Sequence, residues 1–401
     1  MNKLMRYRRF GRTELQMPVF SCGGMRFQQG WGDADPEKIE KENQDRLEAT
    51  IHRSLEIGIN HIETARGYGP SEMQLGWVLP SLPREKMIVQ TKVGPEEDPQ
   101  KFLANFEKSM AYLKLDYVDL LSFHGINTAE LLDQVVKKGG CLDIARQLQK
   151  EGRIRFVGYS THGSNEVITR ANATGEFDYL NLHYYFVNEL NWGAIEEAKR
   201  QDMGVFIISP TDKGGMLQSP PAKMVELCAP LTPMGFNDLW CLGKSEIHTL
   251  SIGASQPSDF DEHVEALQFY DSLEATIAPI EARLRAQTEQ IFGSDWLQNW
   301  SQALPEHYDL PGDVNVREIL RVFTYAKSLD LVEWAKGRYN LLGNAGHWFP
   351  GQNLSVLDDS SWKLLAQKLE KSPFAAQIPT YLHEAHEMLK GEEKQRQSQS
   401  D

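Results

Sequence analysis

The chain has 401 residues, room for one large domain with a smaller companion or for two to three ordinary domains, and its composition is that of a globular protein. A formal net charge of −14 argues against a general nucleic-acid or anionic-membrane binder. No run approaches the ~18–20 apolar residues of a membrane helix, and the basic start Met1 to Arg9 lacks the apolar stretch of a signal peptide.

Four scattered cysteines, Cys22, Cys141, Cys228 and Cys241, form no close pair, so neither a disulfide framework nor a zinc site is indicated. A reducing cytoplasm is the simplest compartment.

From Val19 to Ser251 one pattern recurs: a short apolar run, a polar or Gly-rich turn, then a segment of helical period. The predicted strands are Val19 to Cys22, Asn60 to Glu63, Met87 to Lys92, Tyr117 to His124, Arg155 to Ser160, Tyr179 to Tyr184, Val205 to Ser209 and Thr249 to Gly253. Apolar residues at adjacent positions suit strands buried on both faces. Between them the spacing predicts helices over Asp45 to Glu56, from Asp98 through Leu113, and from the capping residue Thr128 onward, with Gly139-Gly140 interrupting the last. Ser164 to Thr174, Gly193 to Gln201 and Pro257 to Leu267 continue the alternation. Eight β/α repeats favour a (β/α)8 barrel; an open doubly wound sheet would more often show a Gly-rich phosphate turn after its first strand. Beyond Tyr270 only helices are predicted: Glu274 to Ile291, Arg317 to Tyr325, Leu331 to Tyr339, Ser360 to Leu369 and Pro379 to Leu389. The predicted organisation is a barrel over 1–270, a small all-helical domain over 271–390, and a disordered tail over 391–401.

The chemistry is predicted at strand ends. In a (β/α)8 barrel these converge on one face, and Glu63, Tyr68, Lys92 and His124 fall at the mouths of the second, third and fourth predicted strands. Singly, each has an ordinary reading as a surface ion pair, a packed ring or a satisfied polar group. Together they suit carbonyl reduction. A tyrosine with a pKa near ~10 is an indifferent acid, an adjacent ammonium favours its phenolate, and a carboxylate holds the ammonium. A histidine can orient the carbonyl oxygen as charge develops on it.

Over roughly residues 5 to 270 the sequence resembles the aldo/keto reductases. The matching stretches include Phe10-Gly11-Arg12-Thr13, Cys22-Gly23-Gly24-Met25-Arg26, Gly58 to Gly69, Ser71-Glu72, Leu75-Gly76, Thr91-Lys92 and Tyr117-Val118-Asp119-Leu120. Gly152 to Arg155, Gly158-Tyr159-Ser160, Ser209-Pro210 and Ser251-Ile252-Gly253-Ala254-Ser255 continue the match. The resemblance implies Tyr68 as proton donor, Lys92 as its activating lysine and His124 as the substrate-orienting histidine. Glu63 stands where the family has aspartate, and its extra methylene predicts a repositioned ion pair. The cofactor implied is NADP or NAD. Ser160 matches a serine on the nicotinamide carboxamide, with Thr161 in place of the usual asparagine and Asn181 where glutamine is common. Ile208 stands where many members stack an aromatic ring. Met25, Arg26, Ser209, Lys213, Gly253, Ser255 and Glu262 match positions along the cofactor. Asp259 replaces an arginine for the 2′-phosphate, which a carboxylate would repel.

The C-terminal unit resembles the ferredoxin-like domain appended to one branch of that family. Leu310-Pro311-Gly312 and Phe349-Pro350-Gly351 stand where that branch has two Cys-Pro pairs. Iron–sulfur clusters need thiolates, and no cysteine follows Cys241, so no cluster and no metal is expected; Trp296, Trp300, His307, Tyr308, His347 and Trp348 suggest a hydrophobic filling instead. The function expected is an NAD(P)H-dependent oxidoreductase acting on a small carbonyl or its alcohol. A nucleotide-sensing or scaffold protein on the same fold is the alternative. No code for the substrate or the oligomeric state is readable.

Overall fold

Ten strands form two sheets in a computed structural model that describes residues 4–27 and 30–394. Strands β1 (Tyr7–Arg9) and β2 (Gln16–Pro18) pair antiparallel as a hairpin. The remaining eight, β3 (Phe20–Gly23), β4 (His61–Glu63), β5 (Ile88–Val93), β6 (Val118–His124), β7 (Ile154–Ser160), β8 (Tyr179–Leu182), β9 (Gly204–Ile207) and β10 (Thr249–Ile252), close into a barrel. Neighbouring barrel strands are parallel, with β10 pairing both β9 and β3. All eight strands read from the sequence are in this barrel, each within a residue or two of its predicted bounds.

The hairpin was not legible in the sequence. Its two three-residue strands carry no readable alternation, yet Phe10 between them is fully buried against Tyr179 and Phe206, in a cluster with Leu15, Met17, Ile88 and Leu120. A Cβ on Gly204 would meet the Phe10 ring at 2.6 Å. Several of these partners stand at the N-terminal ends of their strands, so the hairpin plugs that end of the barrel and leaves the C-terminal end for chemistry.

Helices α1 (Lys41–Glu56), α2 (Ser71–Leu75), α3 (Pro99–Leu113), α4 (Ala129–Val136), α5 (Cys141–Lys150), α6 (Asn165–Ala173) and α7 (Trp192–Arg200) occupy the crossovers. Asp98 caps α3 by accepting from Gln100 N, and Phe102, Phe106, Met110 and Leu113 form its buried stripe. Thr128 accepts from Leu131 N to cap α4, and Gly139 (φ +76°) separates α4 from α5. Helices α8 (Ala222–Cys228), α9 (Pro233–Leu242) and α10 (Asp261–Ala266) follow.

The chain forms two compact units: one runs to Pro210 and adds Asn237–Asp271, and the other joins Thr211–Phe236 to the chain from Ser272 onward. A boundary near 270 gave Thr211–Phe236 to the barrel. It joins the second unit because α8 lies against α11 (Leu273–Phe292), where Arg283 donates to Leu227 O at 2.9 Å and to Ala229 O at 2.5 Å.

The second unit is helical, with α12 (Ser294–Asn299), α13 (Val316–Leu329), α14 (Val332–Leu341), α15 (Asp359–Lys368) and α16 (Ile378–Leu389). Trp296 anchors its aromatic core, with ring centroids 5.4 Å from Phe292 and 5.0 Å from both Phe374 and Tyr381. The expected hydrophobic filling is therefore corrected: Trp296 is in the core, whereas Tyr308 is 64% exposed. The two Pro-Gly loops pair through a Val314–Gln352 bridge, and Asn315 N donates to Gln352 O at 2.9 Å. Leu310 is buried there, and Phe349 lies under the Arg338 guanidinium, 4.4 Å from its ring centroid.

This unit also buries charge. Glu318 accepts from Arg321 (2.7 and 3.0 Å) and from Arg338 Nε (2.5 Å). Burial works to raise the pKa of Glu318, but the two guanidiniums overcome it and bring it down to about 2. Of the tail expected to be disordered, residues 395–401 lie outside the described residues. Gly391 N and Lys394 N donate to Asn340 at 3.0 and 2.9 Å, so the start of that segment is tied down. No helix among the described residues is long and apolar enough to cross a membrane.

Candidate active site

Barrel register places the candidate side chains on neighbouring strands. Glu63, the last residue of β4, lies opposite Gln90, two residues before Lys92 on β5. Lys92 pairs with Ser122 on β6, His124 ends β6 opposite Ser160, and Ser160 pairs with Asn181 on β8. Tyr68 comes from the turn after β4, closed by Tyr68 N donating to Ala65 O (3.0 Å) and Ser71 N to Tyr68 O (3.1 Å). Gly69 in that turn has φ +54°, and a Cβ on it would sit 2.0 Å from Gly30 O, so only glycine fits.

Lys92 is 1% exposed and Glu63 4% exposed, and their charged groups form a direct ion pair. Lys92 Nζ also donates to Thr64 O at 2.9 Å and to Tyr68 Oη at 3.4 Å. An ammonium has three N–H donors; these three acceptors use them all. Burial, the largest influence on Lys92, works to lower its pKa, but Glu63 and Tyr68 outweigh it and the net shift is upward. Burial also raises the Tyr68 pKa; Lys92 opposes that rise without cancelling it, so Lys92 moderates the tyrosine and does not bring it below its ordinary value. His124 meets the Tyr68 ring edge-on at 5.6 Å between centroids. Burial and then the Lys92 charge push its pKa down to about 3, and its imidazole is neutral at ordinary pH.

Glu63 is accommodated without losing Lys92. Its second oxygen, Oε1, accepts from Ser251 Oγ at 3.0 Å. Ser251 and this contact were not singled out by sequence reasoning, although Ser251 stands in a quoted strand-end run. A second unforeseen pair is His162 and His183, just past β7 and β8, with ring centroids 4.4 Å apart.

The cofactor candidates fare differently. Ser160 Oγ accepts from Gly125 N at 3.2 Å and keeps its own proton to give. Asn181 is fully buried, and its Nδ2 has no hydrogen-bond partner among the described residues. A buried orphan amide beside a free hydroxyl fits a planar amide ligand such as a nicotinamide carboxamide. Thr161 is already committed, donating to Ile126 O (2.7 Å) and accepting from Gly163 N (2.9 Å). Met25 and Arg26 lie in the 3-10 turn Gly24–Phe27, and a Cβ on Gly253 would come within 3.4 Å of Arg26 Nε. Ser255 is bound to the Asp259 carboxylate through its N (2.8 Å) and Oγ (3.0 Å), and Glu262 follows in the first turn of α10. Ser209 takes a left-handed φ of 52° just past β9. Lys213 falls in the second unit, where burial and then Arg338 push its pKa down to about 7. Near the strand ends, Phe123 and Tyr159 belong to the core: Phe123 stacks on Phe102 at 5.1 Å, and Tyr159 Oη donates to Asn172 Oδ1 at 2.6 Å. No group of three or more metal-ligating side chains exists among the described residues.

L-galactose dehydrogenase of Arabidopsis thaliana is 28% identical over 275 residues, covering 60% of this chain and 85% of that protein. NADH-specific methylglyoxal reductase of Escherichia coli (strain K12) is 25% identical over 187 residues, 41% of this chain and 56% of its own. The structure of an aldo-keto reductase from Bacillus halodurans, in its holo form, superposes with a TM-score of 0.58 at 18% identity, covering 70% of this chain and 96% of that one. The profile of the Aldo/keto reductase family matches residues 20–227, more than half of the sequence, and the chain belongs to that family of oxidoreductases.

Proposed function

We propose that the chain reduces an aldehyde or ketone to the alcohol, with Tyr68 giving the proton and NADH or NADPH as reductant. The observation that carries this is the donor count at Lys92. Its protons go to Glu63, Thr64 O and Tyr68 Oη, so the phenol accepts from Lys92 and its own proton is left for a substrate oxygen. As the carbonyl oxygen gains charge, Tyr68 passes that proton on, and Lys92 stabilises the phenolate left behind. Neutral His124 offers an N–H to the same oxygen and fixes the carbonyl's orientation. A bound nicotinamide dinucleotide supplies the hydride, with Ser160 and Asn181 holding its carboxamide. Asp259, a carboxylate where the family has an arginine, weighs against a 2′-phosphate.

Small oxygen-rich carbonyls are the substrate class this reading takes from the names of the relatives. The second unit reads as a ferredoxin-like domain whose cluster positions are filled by buried Leu310 and Arg338-covered Phe349. Four cysteines, all free and buried, agree with a reducing cytoplasm.

Tyr68→Phe tests the assignment. Carbonyl-dependent oxidation of NADH or NADPH should fall by about 10²–10⁴, while circular dichroism and cofactor binding stay as in the parent. A rate unchanged by this substitution would remove Tyr68 from the chemistry. In the parent, the reductive rate should be flat across neutral pH, because Tyr68 stays protonated and His124 stays neutral there.

A further inference from the structure

Strand β3 lies between β10 and β4 in the barrel wall. A side chain on β10 reaches one on β4 only where β3 leaves a gap, and Gly23 is that gap. A Cβ on Gly23 would sit 2.8 Å from Ser251 Oγ and 3.1 Å from Glu63 Oε1. Ser251 on β10 pairs in register with Ser21, and Glu63 on β4 with Gly23, so both side chains point to the same face of the sheet. Across the gap Ser251 donates to Glu63 Oε1 at 3.0 Å, while Oε2 faces Lys92.

We propose that Ser251 is a positioning residue for proton transfer, holding Glu63 through the opening at Gly23 so that its far oxygen meets Lys92. The idea rests on the reductase reading above and deepens it. A glutamate has one more rotatable bond than an aspartate and, unheld, spreads over more rotamers. The Ser251 hydroxyl removes that freedom, and the carboxylate then presents one fixed oxygen to the ammonium. Loosening it weakens the charge that raises the Lys92 pKa, so Lys92 sheds its proton at lower pH. An aspartate at position 63, one methylene shorter, lies closer to its own strand and away from Ser251.

The experiment is a double-mutant cycle on the full chain with Ser251→Ala and Glu63→Asp, Ser251→Thr serving as the hydroxyl-retaining control. Ser251→Ala should lower kcat about 10- to 100-fold, with little change in KM, and move the alkaline limb of the kcat–pH profile to lower pH. Ser251→Thr should restore most of the rate. In the Glu63→Asp background Ser251→Ala should change kcat less than about twofold. Equal losses in both backgrounds, or no loss in either while Tyr68→Phe abolishes turnover, would overturn the proposal. If the parent turns over no carbonyl, the reductase reading fails separately, and the cycle is then read in urea midpoints. There, a lowered midpoint for Ser251→Ala with Glu63 present but not with aspartate supports the contact, and a midpoint change independent of residue 63 refutes it.

Discussion

Both units bury a carboxylate against cations, and the cations differ in kind. In the barrel, Glu63 faces Lys92, which also touches Tyr68. In the second unit, Glu318 is clamped by Arg321 and Arg338, whose guanidiniums also lie over Trp334 and Phe349. A lysine can give up its proton when its surroundings turn against the charge; an arginine in a protein cannot. Lys213, in the same unit as the arginine cluster, illustrates the first behaviour, pushed down to about 7 by burial and Arg338. The barrel site is therefore built where a proton can move, and the second cluster where charge is permanent and its work is to hold α13 and α14 together.

Removing the carboxylate from each cluster should break this symmetry, and the larger loss falls in the second unit. Glu318→Gln leaves two buried guanidiniums that cannot neutralise, and unfolding of that unit should become easier by about 3–5 kcal/mol, read by urea denaturation at several pH values. Because arginine stays charged, the deficit should persist at alkaline pH. In the parent, Glu318 is depressed to about 2, so its stabilisation is complete above the ordinary carboxylate pKa and fades as pH falls toward 2.

Glu63→Gln should cost less, about 1–3 kcal/mol, because Lys92 can lose its proton. Burial is the largest influence on Lys92, so with Glu63 gone and only Tyr68 opposing it, the lysine pKa would fall below the unfolded value. The unfolded chain then binds more protons across that window, so the variant's stability rises with pH and its deficit shrinks. Under the proposed function, carbonyl reduction would not recover with it, since a neutral lysine no longer supports the Tyr68 phenolate. A deficit in Glu63→Gln that persists undiminished at alkaline pH, as in Glu318→Gln, would show that the two clusters do not differ as described.

The sequence was readable where the information is local. Eight strands were legible because buried parallel strands concentrate β-branched and aromatic residues in short runs, and their ends marked Glu63, Lys92 and His124. Where prolines crowd the sequence, at Pro220, Pro221, Pro230 and Pro233, no helix was predicted, yet α8 starts directly after Pro221 and α9 at Pro233 itself. Proline there opens a helix instead of excluding it. Ser251 was opaque for a different reason. Its proposed role depends on the side chain that Gly23 lacks on the neighbouring strand and on Glu63 one strand further on, and adjacency across a barrel wall leaves no mark on spacing. Thr161 shows the same limit: its identity was visible, but not the commitment of its hydroxyl to Ile126 O and Gly163 N.

The smallest effect should come from exchanging one cation for the other kind. Arg338→Lys keeps a positive charge near Glu318 but loses the directed Nε–H bond and the flat face over Phe349. At neutral pH Glu318 still has Arg321, so the expected cost is about 1 kcal/mol. The new lysine would sit close to Arg321 in a buried place, the kind of setting that already lowers Lys213. With Glu318 itself opposing the shift, its pKa should fall less than that of Lys213, and the cost should show a weak dependence on alkaline pH that Glu318→Gln lacks. A cost of several kcal/mol, constant with pH, would mean that the guanidinium's shape, and not its fixed charge, is what the second unit requires.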